Sequence, residues 1–148
     1  MKQSLELWGL VKDKPFDAVF CSDLKRAVRS AELTFKDRVQ IIQDKRIREC
    51  NYGTYNAKSS EIVEPMQENN IFQRFPEGES YEDIKKRIRE FLDFLKANFD
   101  GKSIAIVAHK APQLALDVLI HNKTWEQAFS HDWRKKKAWQ PGWDYILE

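Results

Sequence analysis

The chain has 148 residues, a formal net charge of +2 at pH 7, 42% hydrophobic residues and 32% charged residues. These values are typical of one soluble globular domain that is large enough to bury its own core, and they argue against a disordered chain. The net charge is too small to predict nucleic-acid binding, and no apolar run approaches the roughly 20 residues needed to cross a bilayer.

The segment 1–14 carries charges throughout and lacks the apolar core of a signal peptide. The two cysteines, Cys21 and Cys50, have neither metal-binding nor redox spacing. We therefore expect reduced thiols and a cytoplasmic protein.

In the first half of the chain the apolar pattern predicts a helix, a strand, a second helix and a second strand. The first helix is short and amphipathic, and it ends near Pro15. The first strand covers 18–21, and Ser22 and Asp23 follow it as N-cap residues. The second strand lies within 39–47. The apolar positions of the two helices are Leu5, Trp8 and Val11 in one and Leu24, Ala27, Val28 and Ala31 in the other.

The second half begins with the polar, irregular segment 48–78, which holds a short predicted helix near 61–67. Ser80 then caps the longest helix, with Asp83 three residues later as in a capping box. Asp100-Gly101 turns the chain into the next strand. The predicted core face of the long helix is Ile84, Ile88, Phe91, Leu92 and Leu95.

The run Ile104–Ala108 is apolar without interruption and predicts a strand buried on both faces, in the middle of a parallel sheet. Pro112 is placed as the first residue of the following helix, and His109 lies between them. A titratable side chain at the carboxyl end of a central strand, beside a helix N-terminus, occupies the usual ligand position of an open α/β sheet and suits an anion such as phosphate. The alternative is a core histidine satisfied by one hydrogen bond.

Beyond this helix, Trp125 and Phe129 predict another short helix. The tail that follows is rich in tryptophan and ends in a predicted strand at Trp143–Leu147.

Two further segments carry polar groups next to predicted strand ends. The segment 22–29 places Arg26 and Arg29 after a cap-rich turn, which suits a bidentate grip on a phosphoryl group, or else forms a solvated helix start. Glu49 follows the second strand and precedes the turn at Gly53. Such a carboxylate serves as a general acid, and its alternative is a surface glutamate.

The motifs SDLKRAVRSAEL, IRECNYG, FPEGES and IAIVAH resemble, in order and spacing, those of the histidine phosphatase superfamily with its phosphoglycerate-mutase-like fold. The resemblance covers nearly the whole chain and implies a three-layer α/β/α sandwich with a mostly parallel sheet. It places Arg26 in the phosphate pocket, Glu49 as the acid that protonates the leaving oxygen, and His109 as the second, phosphate-contacting histidine. Glu79 and Ser80 begin the helix that borders the site. The other residues expected to bind phosphate or substrate are Ser22, Arg29, Lys110 and Ala111.

The chain also departs from the family pattern. The family opens with a strand that leads into Arg-His-Gly, whose histidine attacks phosphorus, and this sequence contains no Arg-His-Gly. We therefore expect an N-terminally truncated chain in which the first strand of the sheet is missing. Its histidines are His109, His121 and His131, and the last two lie in polar segments where surface placement is expected. Lys110-Ala111 stands where the family usually has glycine, which alters close backbone approach to a phosphate.

Other phosphate chemistries do not fit the sequence. Four residues separate Cys21 from Arg26, whereas a protein-tyrosine-phosphatase loop has five. The segment 101–103 mimics the end of a Walker A loop but precedes a strand instead of following one. No histidine–carboxylate spacing supports a metal, and the basic cluster at 134–137 favours a solvated face over nucleic-acid binding.

The resemblance implies a phosphomonoesterase that uses a phosphohistidine intermediate in the complete protein, with no metal or other cofactor, on a small phosphorylated substrate. This chain is expected to be inactive, because it lacks the nucleophile. A phosphatase is favoured over a mutase because the segment between Tyr52 and Ser80 is short. Phe72, Phe75 and Trp125 either line a substrate pocket or pack in the core.

The alternative from another class is a non-catalytic phospho-ligand or protein-interaction module. Loss of the first strand exposes the edge of the strand Ile104–Ala108, and an unpaired strand edge is costly at each polar group. We therefore expect a homodimer that shares this edge or the tryptophan-rich tail.

Overall fold

The computed structural model describes residues 13–136 and 142–148, and its sheet has three parallel strands. These are β1 (Ala18–Cys21), β2 (Ile41–Gln43) and β3 (Ile104–Val107), in the order β2-β1-β3. All four residues of β1 are buried, because the strand has a neighbour on each side. The carboxyl ends of all three strands lie at one edge of the sheet.

The α-helices of the described residues are α1 (Lys25–Phe35), α2 (Ser60–Val63), α3 (Tyr81–Asn98), α4 (Lys110–Ile120) and α5 (Trp125–Ser130). Short 3-10 turns cover Lys36–Arg38, Lys45–Ile47, Gly53–Tyr55, Glu64–Met66, Glu68–Asn70 and Trp133–Lys136. Among these elements no helix combines the length and the apolarity that a bilayer-crossing segment needs.

The helices lie on both faces of the sheet. Side chains alternate along a strand, so Ala18 and Phe20 point into the core that α3 and α4 form, while Val19 and Cys21 point to the other face. On that other face α1 packs against all three strands. The rings around Phe20 are Phe91, Phe94 and Phe99, at centroid separations of 5.4, 5.9 and 5.4 Å. The predicted three-layer α/β arrangement is therefore confirmed.

The longest helix begins as the sequence predicts. The Oγ of Ser80 accepts the backbone N–H of Asp83 at 3.1 Å, and the Asp83 carboxylate accepts the backbone N–H of Ser80 at 3.0 Å. This capping box satisfies two N–H groups that have no partner within the helix. All five residues of the predicted core face of α3 are buried.

Other predicted elements agree with the structure. The first strand is β1, and the short helix expected near 61–67 is α2 with the 3-10 turn that follows it. Trp125 and Phe129 are buried in α5. The first predicted helix, at 5–11, lies outside the described residues.

The prediction of a central strand buried on both faces at Ile104–Ala108 is wrong. β3 ends at Val107, and its four residues are only half-buried. The reason is its position at the end of the strand order, because within residues 13–136 and 142–148 only β1 pairs with it. The second part of the expectation, an exposed edge on this strand, stays a prediction.

The predicted strand at Trp143–Leu147 is also wrong, because residues 142–148 form no strand. The segment is attached to α4 by side chains instead. The hydroxyl of Tyr145 donates to Asp117 Oδ1 at 2.8 Å, and Tyr145 and Leu147 pack against the core. Without backbone partners a strand pattern alone does not make a strand.

Two element boundaries differ from the prediction. α4 begins at Lys110, so Pro112 is its third residue and not its first, a position where its missing N–H still leaves no helical bond unmade. The second strand stops at Gln43 because the next residue, Asp44, accepts the backbone N–H of Arg46 at 2.9 Å and starts a 3-10 turn.

Two of the three aromatic residues with an ambiguous role belong to the core. Phe75 and Trp125 are 1% and 5% exposed and contact Tyr81, at ring separations of 6.0 and 5.3 Å. Phe72 is different, since 80% of it is exposed.

Two glycines form a close backbone contact that the segment after Glu49 requires. Gly53 has φ +58°, and a Cβ added there would overlap the carbonyl oxygen of Pro76. A Cβ on Gly78 would overlap the carbonyl oxygen of Asn51. The two turns therefore fit together only because both residues lack a side chain.

We predict that Gly53→Ala lowers the free energy of unfolding by about 3 kcal/mol, since it combines left-handed backbone strain with overlap against a main-chain atom. Urea titration measures this value. Gly101→Ala is the matched control, because Gly101 also has a positive φ, +72°, but has open space around it, so only about 1 kcal/mol should be lost. Equal losses in the two variants would contradict the proposed contact.

Candidate active site

The site is built where the carboxyl ends of β1 and β3 meet. The backbone N–H of Ser22, directly after β1, donates to the carbonyl of Val107, the last residue of β3, at 2.9 Å. The turn that leads to α1 therefore lies beside His109, which is the N-cap residue of α4. This is the position at which open α/β sheets bind ligands.

His109 is half-buried, and its Nε2 atom is buried without a hydrogen-bond partner among the described residues. Burial and, to a smaller extent, the positive charges of Arg26 and Arg87 together lower the pKa of this imidazole to about 4, against the opposing effect of the negative charge of Asp23. The ring is therefore neutral at pH 7. A neutral imidazole presents one donor and one acceptor nitrogen to whatever lies against it.

Glu49 meets the start of the same helix. Its Oε1 atom accepts the backbone N–H of Ala111 at 3.0 Å and that of Cys50 at 2.8 Å. The first of these bonds joins residues that are 62 positions apart in sequence. The structure thus brings the carboxylate of Glu49 to a backbone N–H that lies two residues after His109 in sequence.

The two arginines of α1 that the sequence predicts at the site are both exposed to solvent. Arg26 is exposed and close enough to His109 to affect its pKa, whereas Arg29 is exposed about one turn further along. Ser22 is fully buried, and its Oγ accepts the backbone N–H of Leu24 at 3.3 Å. Its hydroxyl therefore shapes the turn at the end of β1.

The other predicted site residues have partners within the protein. The ammonium of Lys110 lies 3.4 Å from Glu64 Oε1 and 3.7 Å from Asp132 Oδ2. The N–H of Ala111 is bound to Glu49. Ser80 belongs to the capping box of α3, so its hydroxyl fixes a helix start. These contacts show what each group does in the folded chain, and the roles in phosphate binding stay predictions.

Glu79 holds the segment that follows Glu49. Its carboxylate accepts the backbone N–H of Asn51 at 2.9 Å, and its own backbone N–H donates to the carbonyl of Asn51 at 2.7 Å. It also forms an ion pair with Arg87, with Nε 3.0 Å from Oε2. Glu79 is thus part of the frame around the candidate acid.

Two neutral groups lie behind Glu49. Burial raises the pKa of the Cys50 thiol and, even more, that of the Tyr52 hydroxyl, and the negative charge of Glu49 adds to both shifts. Both groups therefore keep their protons at pH 7. Glu49 therefore has two uncharged groups near it, in addition to its contact with α4.

Sequence reasoning missed an ion pair at the border of the site. The guanidinium of Arg48 donates two hydrogen bonds of 2.6 Å to the two carboxylate oxygens of Asp23, and this pairing lowers the pKa of Asp23. The pair joins the turn after β1 to the segment that carries Glu49. A possible signal was the placement of both residues at predicted strand ends, but nothing in the sequence indicated that they pair.

Arg87 was missed as well. Its guanidinium binds backbone carbonyls next to Glu49 together with Glu79. In the sequence it is one of several basic residues on the polar side of α3, beside Lys85, Lys86 and Arg89. Its spacing from the apolar positions does not distinguish it from them.

No metal site is evident within the described residues, because no group of three or more His, Cys, Asp or Glu side chains there could hold an ion. Two surface depressions, of about 410 and 290 Å³, involve the segment 64–76. Neither is lined by His109, Glu49 or Arg26, so the convergent polar groups, and not the depressions, define the candidate site.

Comparisons with known proteins address the same region. The sequence model of the histidine phosphatase superfamily (branch 1) matches residues 1–139. A protein of Hydrogenobacter thermophilus named as a phosphoserine phosphatase is 30% identical over 117 residues, which cover 72% of this chain and 57% of that protein. The chain spans about half the length of the curated relatives that it matches.

Solved structures show the same fold. Bacillus stearothermophilus YhfR superposes with a TM-score of 0.75 at 22% identity, over 87% of this chain and 68% of that one. A mycobacterial glucosyl-3-phosphoglycerate phosphatase in complex with inorganic phosphate gives a TM-score of 0.72 at 18% identity, over 87% and 70%.

The sheet order and the superposed structures define a phosphoglycerate-mutase-like α/β fold. The chain belongs to the histidine phosphatase superfamily. The resemblance found in its four sequence motifs is therefore confirmed.

We predict that His109 makes the stability of the protein fall in mild acid. An unfolded histidine binds a proton below a pKa of about 6.5, whereas folded His109 does so only near 4, so protonation favours the unfolded chain as the pH falls through this window. Above pH 6.5 the group has no effect. With allowance for its partial exposure we expect a loss of about 1–2 kcal/mol between pH 7.5 and pH 4.5.

The measurement is urea unfolding at both pH values for the unaltered chain and for His109→Gln. The variant retains every carboxylate, so the difference between the two pH dependences isolates the histidine. If both proteins lost the same free energy, His109 would titrate normally and the buried, cation-flanked environment would be incorrect.

Proposed function

We propose that this chain forms the phosphate-binding and acid-bearing part of a phosphomonoesterase. The main support is the position of Glu49 and His109, which both lie at the start of α4. Support comes from the superfamily membership and from relatives named as phosphatases. The neutral His109 ring, the cation of Arg26 and the positive end of the α4 dipole together suit a phosphate dianion.

In the complete reaction implied by the resemblance, the nucleophile is the histidine of an Arg-His-Gly segment. Its ring nitrogen forms a bond to phosphorus while the bond between phosphorus and the ester oxygen breaks. Glu49 donates its proton to the departing oxygen. Since Oε1 already accepts two backbone N–H groups, Oε2 is the oxygen that carries this proton.

Hydrolysis of the phosphohistidine then reverses the role of Glu49. The carboxylate accepts a proton from water as the water oxygen bonds to phosphorus and the nitrogen–phosphorus bond breaks. Arg26 and His109 stabilise the negative charge on the phosphoryl oxygens in both steps, which is the main requirement of phosphoryl transfer. A phosphatase is preferred over a mutase because the segment 53–79 is short, leaving little material to enclose a doubly phosphorylated intermediate.

We predict that this chain binds inorganic phosphate at His109. Addition of millimolar phosphate should shift the ring resonances of His109, and Arg26→Gln should weaken binding about tenfold because a charge-assisted hydrogen bond is lost. NMR titration gives both values. Lys102→Gln is the control, since Lys102 is an exposed cation just before the amino end of β3, whereas His109 follows the carboxyl end of this strand. Unchanged His109 shifts, or equal effects of the two variants, would contradict this site.

We also predict negligible turnover by this chain. Arg26, Glu49 and His109 bind and protonate, but none replaces the attacking histidine, and loss of a covalent nucleophile costs several orders of magnitude in rate. Hydrolysis of p-nitrophenyl phosphate by the unaltered chain and by His109→Ala tests this. A robust rate that disappears in His109→Ala would overturn the assignment of roles.

A second candidate function is a protein-interaction module, which is favoured by the edge of β3 that no strand of the described residues pairs with. Ile104 and Ile106 alternate with the residues bonded to β1, so their backbone N–H and C=O groups face this edge. A second copy of the chain supplies matching groups if the two β3 edges pair around a twofold axis. We predict a homodimer in light scattering at micromolar concentration, whereas a monomer with cooperative unfolding would exclude it.

A further inference from the structure

The guanidinium of Arg87 makes five hydrogen bonds, which equals the number of its N–H groups. Nη1 donates to the carbonyls of Arg46 and Arg48, at 2.6 and 2.8 Å, and Nη2 donates to the carbonyl of Glu49 at 3.0 Å. Nε and Nη2 donate to the two carboxylate oxygens of Glu79, at 3.0 and 3.2 Å. Three of the five bonds therefore end on the backbone of one short segment, 46–49.

The same arrangement extends past Glu49. The carboxylate that pairs with Arg87, that of Glu79, also accepts the backbone N–H of Asn51. One arginine–carboxylate pair thus binds the main chain on both sides of the candidate acid. The pair is only partly exposed, with 18% of the Arg87 side chain and 27% of the Glu79 side chain accessible, so it is less screened by water than a surface pair.

The position of this backbone decides where the Glu49 carboxylate lies. Glu49 reaches Ala111 by a single 3.0 Å hydrogen bond, and it must do so from the segment that Arg87 holds. Arg87 itself is anchored in α3, which packs against α4. A shift of the 46–49 segment relative to α3 would therefore carry Glu49 away from the helix start beside His109.

We propose that Arg87 is the positioning residue for Glu49, because its planar fork of donors fixes the backbone that aims the carboxylate at the start of α4. The inference deepens the proposed function and rests on it for the role of Glu49 as the acid. Lysine cannot substitute, since an ammonium has three donors and no fixed plane. Loss of the planar guanidinium removes its hydrogen bonds to the carbonyls of Arg46, Arg48 and Glu49 at the same time.

Arg87 also contributes charge at the site. Burial is the main cause of the lowered pKa of His109, and the positive charges of Arg26 and Arg87 lower it further, whereas Asp23 acts in the opposite direction. Arg87 therefore has two separable effects, a directional one on Glu49 and an electrostatic one on His109. Variants that keep or remove the charge distinguish them.

The experiment compares Arg87→Lys, Arg87→Gln and the control Arg89→Gln, an exposed arginine on the same helix. Hydrogen exchange of the Ala111 amide reports the bond to Glu49, and exchange of the Phe20 amide in the buried strand β1 reports global opening. We expect Ala111 exchange, relative to Phe20, to become at least tenfold faster in both Arg87 variants and to stay unchanged in the control.

The pKa of the His109 ring, followed by NMR, supplies the second readout. It should rise in Arg87→Gln, which removes a positive charge, and stay near the unaltered value in Arg87→Lys, which keeps it. If Arg87 only stabilised the fold, the pKa of His109 would not differ between the two variants while both accelerated exchange at the Ala111 amide.

The proposal is overturned if Ala111 and Phe20 exchange accelerate together, or if Ala111 exchange in Arg87→Lys equals that of the unaltered chain. If Arg87→Gln does not fold, Arg87→Lys alone decides between these outcomes. Phosphate titration of the unaltered chain tests the proposed function separately. If Ala111 exchange accelerates in the Arg87 variants but phosphate does not shift the His109 resonances, the positioning role of Arg87 is supported and the proposed phosphomonoesterase function is contradicted.

Discussion

One carboxylate oxygen connects the two halves of the site. Oε1 of Glu49 accepts the N–H of Cys50 next to it in sequence and the N–H of Ala111 at the start of α4. The first N–H groups of a helix have no partner within the helix, so a carboxylate there satisfies a donor and also meets the positive end of the helix dipole. The irregular segment 48–79 is therefore tied to the sheet region through this oxygen, and Arg87 and Glu79 hold the segment in the position from which the bond can form.

The electrostatics of the site follow from an imbalance of charge around a half-buried ring. Burial is the main factor that disfavours the charged form of His109, and the positive charges of Arg26 and Arg87 add to it and outweigh the charge of Asp23. Asp23 itself is neutralised by Arg48 in a bidentate pair. The resulting region offers cations and N–H donors and keeps the histidine uncharged, which suits a dianionic ligand better than a cationic or neutral one.

The sequence was most informative where a periodic pattern coincided with a local signal. Ser80 and Asp83 mark the start of α3, and the spacing of apolar residues every three or four positions identified its buried face. Both features depend only on residues that are close in sequence. Glu49 and His109 were identified through motif order, and their proximity agrees with the fold. Arg87 and the Arg48–Asp23 pair escaped detection because their partners are distant in sequence or are backbone carbonyls, which no residue pattern reveals. Burial of Ile104–Ala108 was misjudged for a related reason: an apolar strand pattern states what the strand can bury, whereas the neighbouring strand decides what it does bury.

The edge of β3 that is unpaired within the described residues and the Arg-His-Gly segment that the resemblance implies concern the same place in the fold. In the described residues β3 pairs only with β1, and His109 follows its carboxyl end after one residue. A strand that pairs in parallel with the open edge would end beside His109, because parallel strands deliver their following loops to one edge of the sheet. The resemblance implies a strand of this kind that leads into Arg-His-Gly. A single added strand would therefore cover this edge of β3, satisfy its backbone N–H and C=O groups and bring a second imidazole next to that of His109. An antiparallel β3 edge from a second copy would satisfy the same backbone groups but would direct its own His109 to the opposite end of the strand, so it completes the sheet without completing the chemistry.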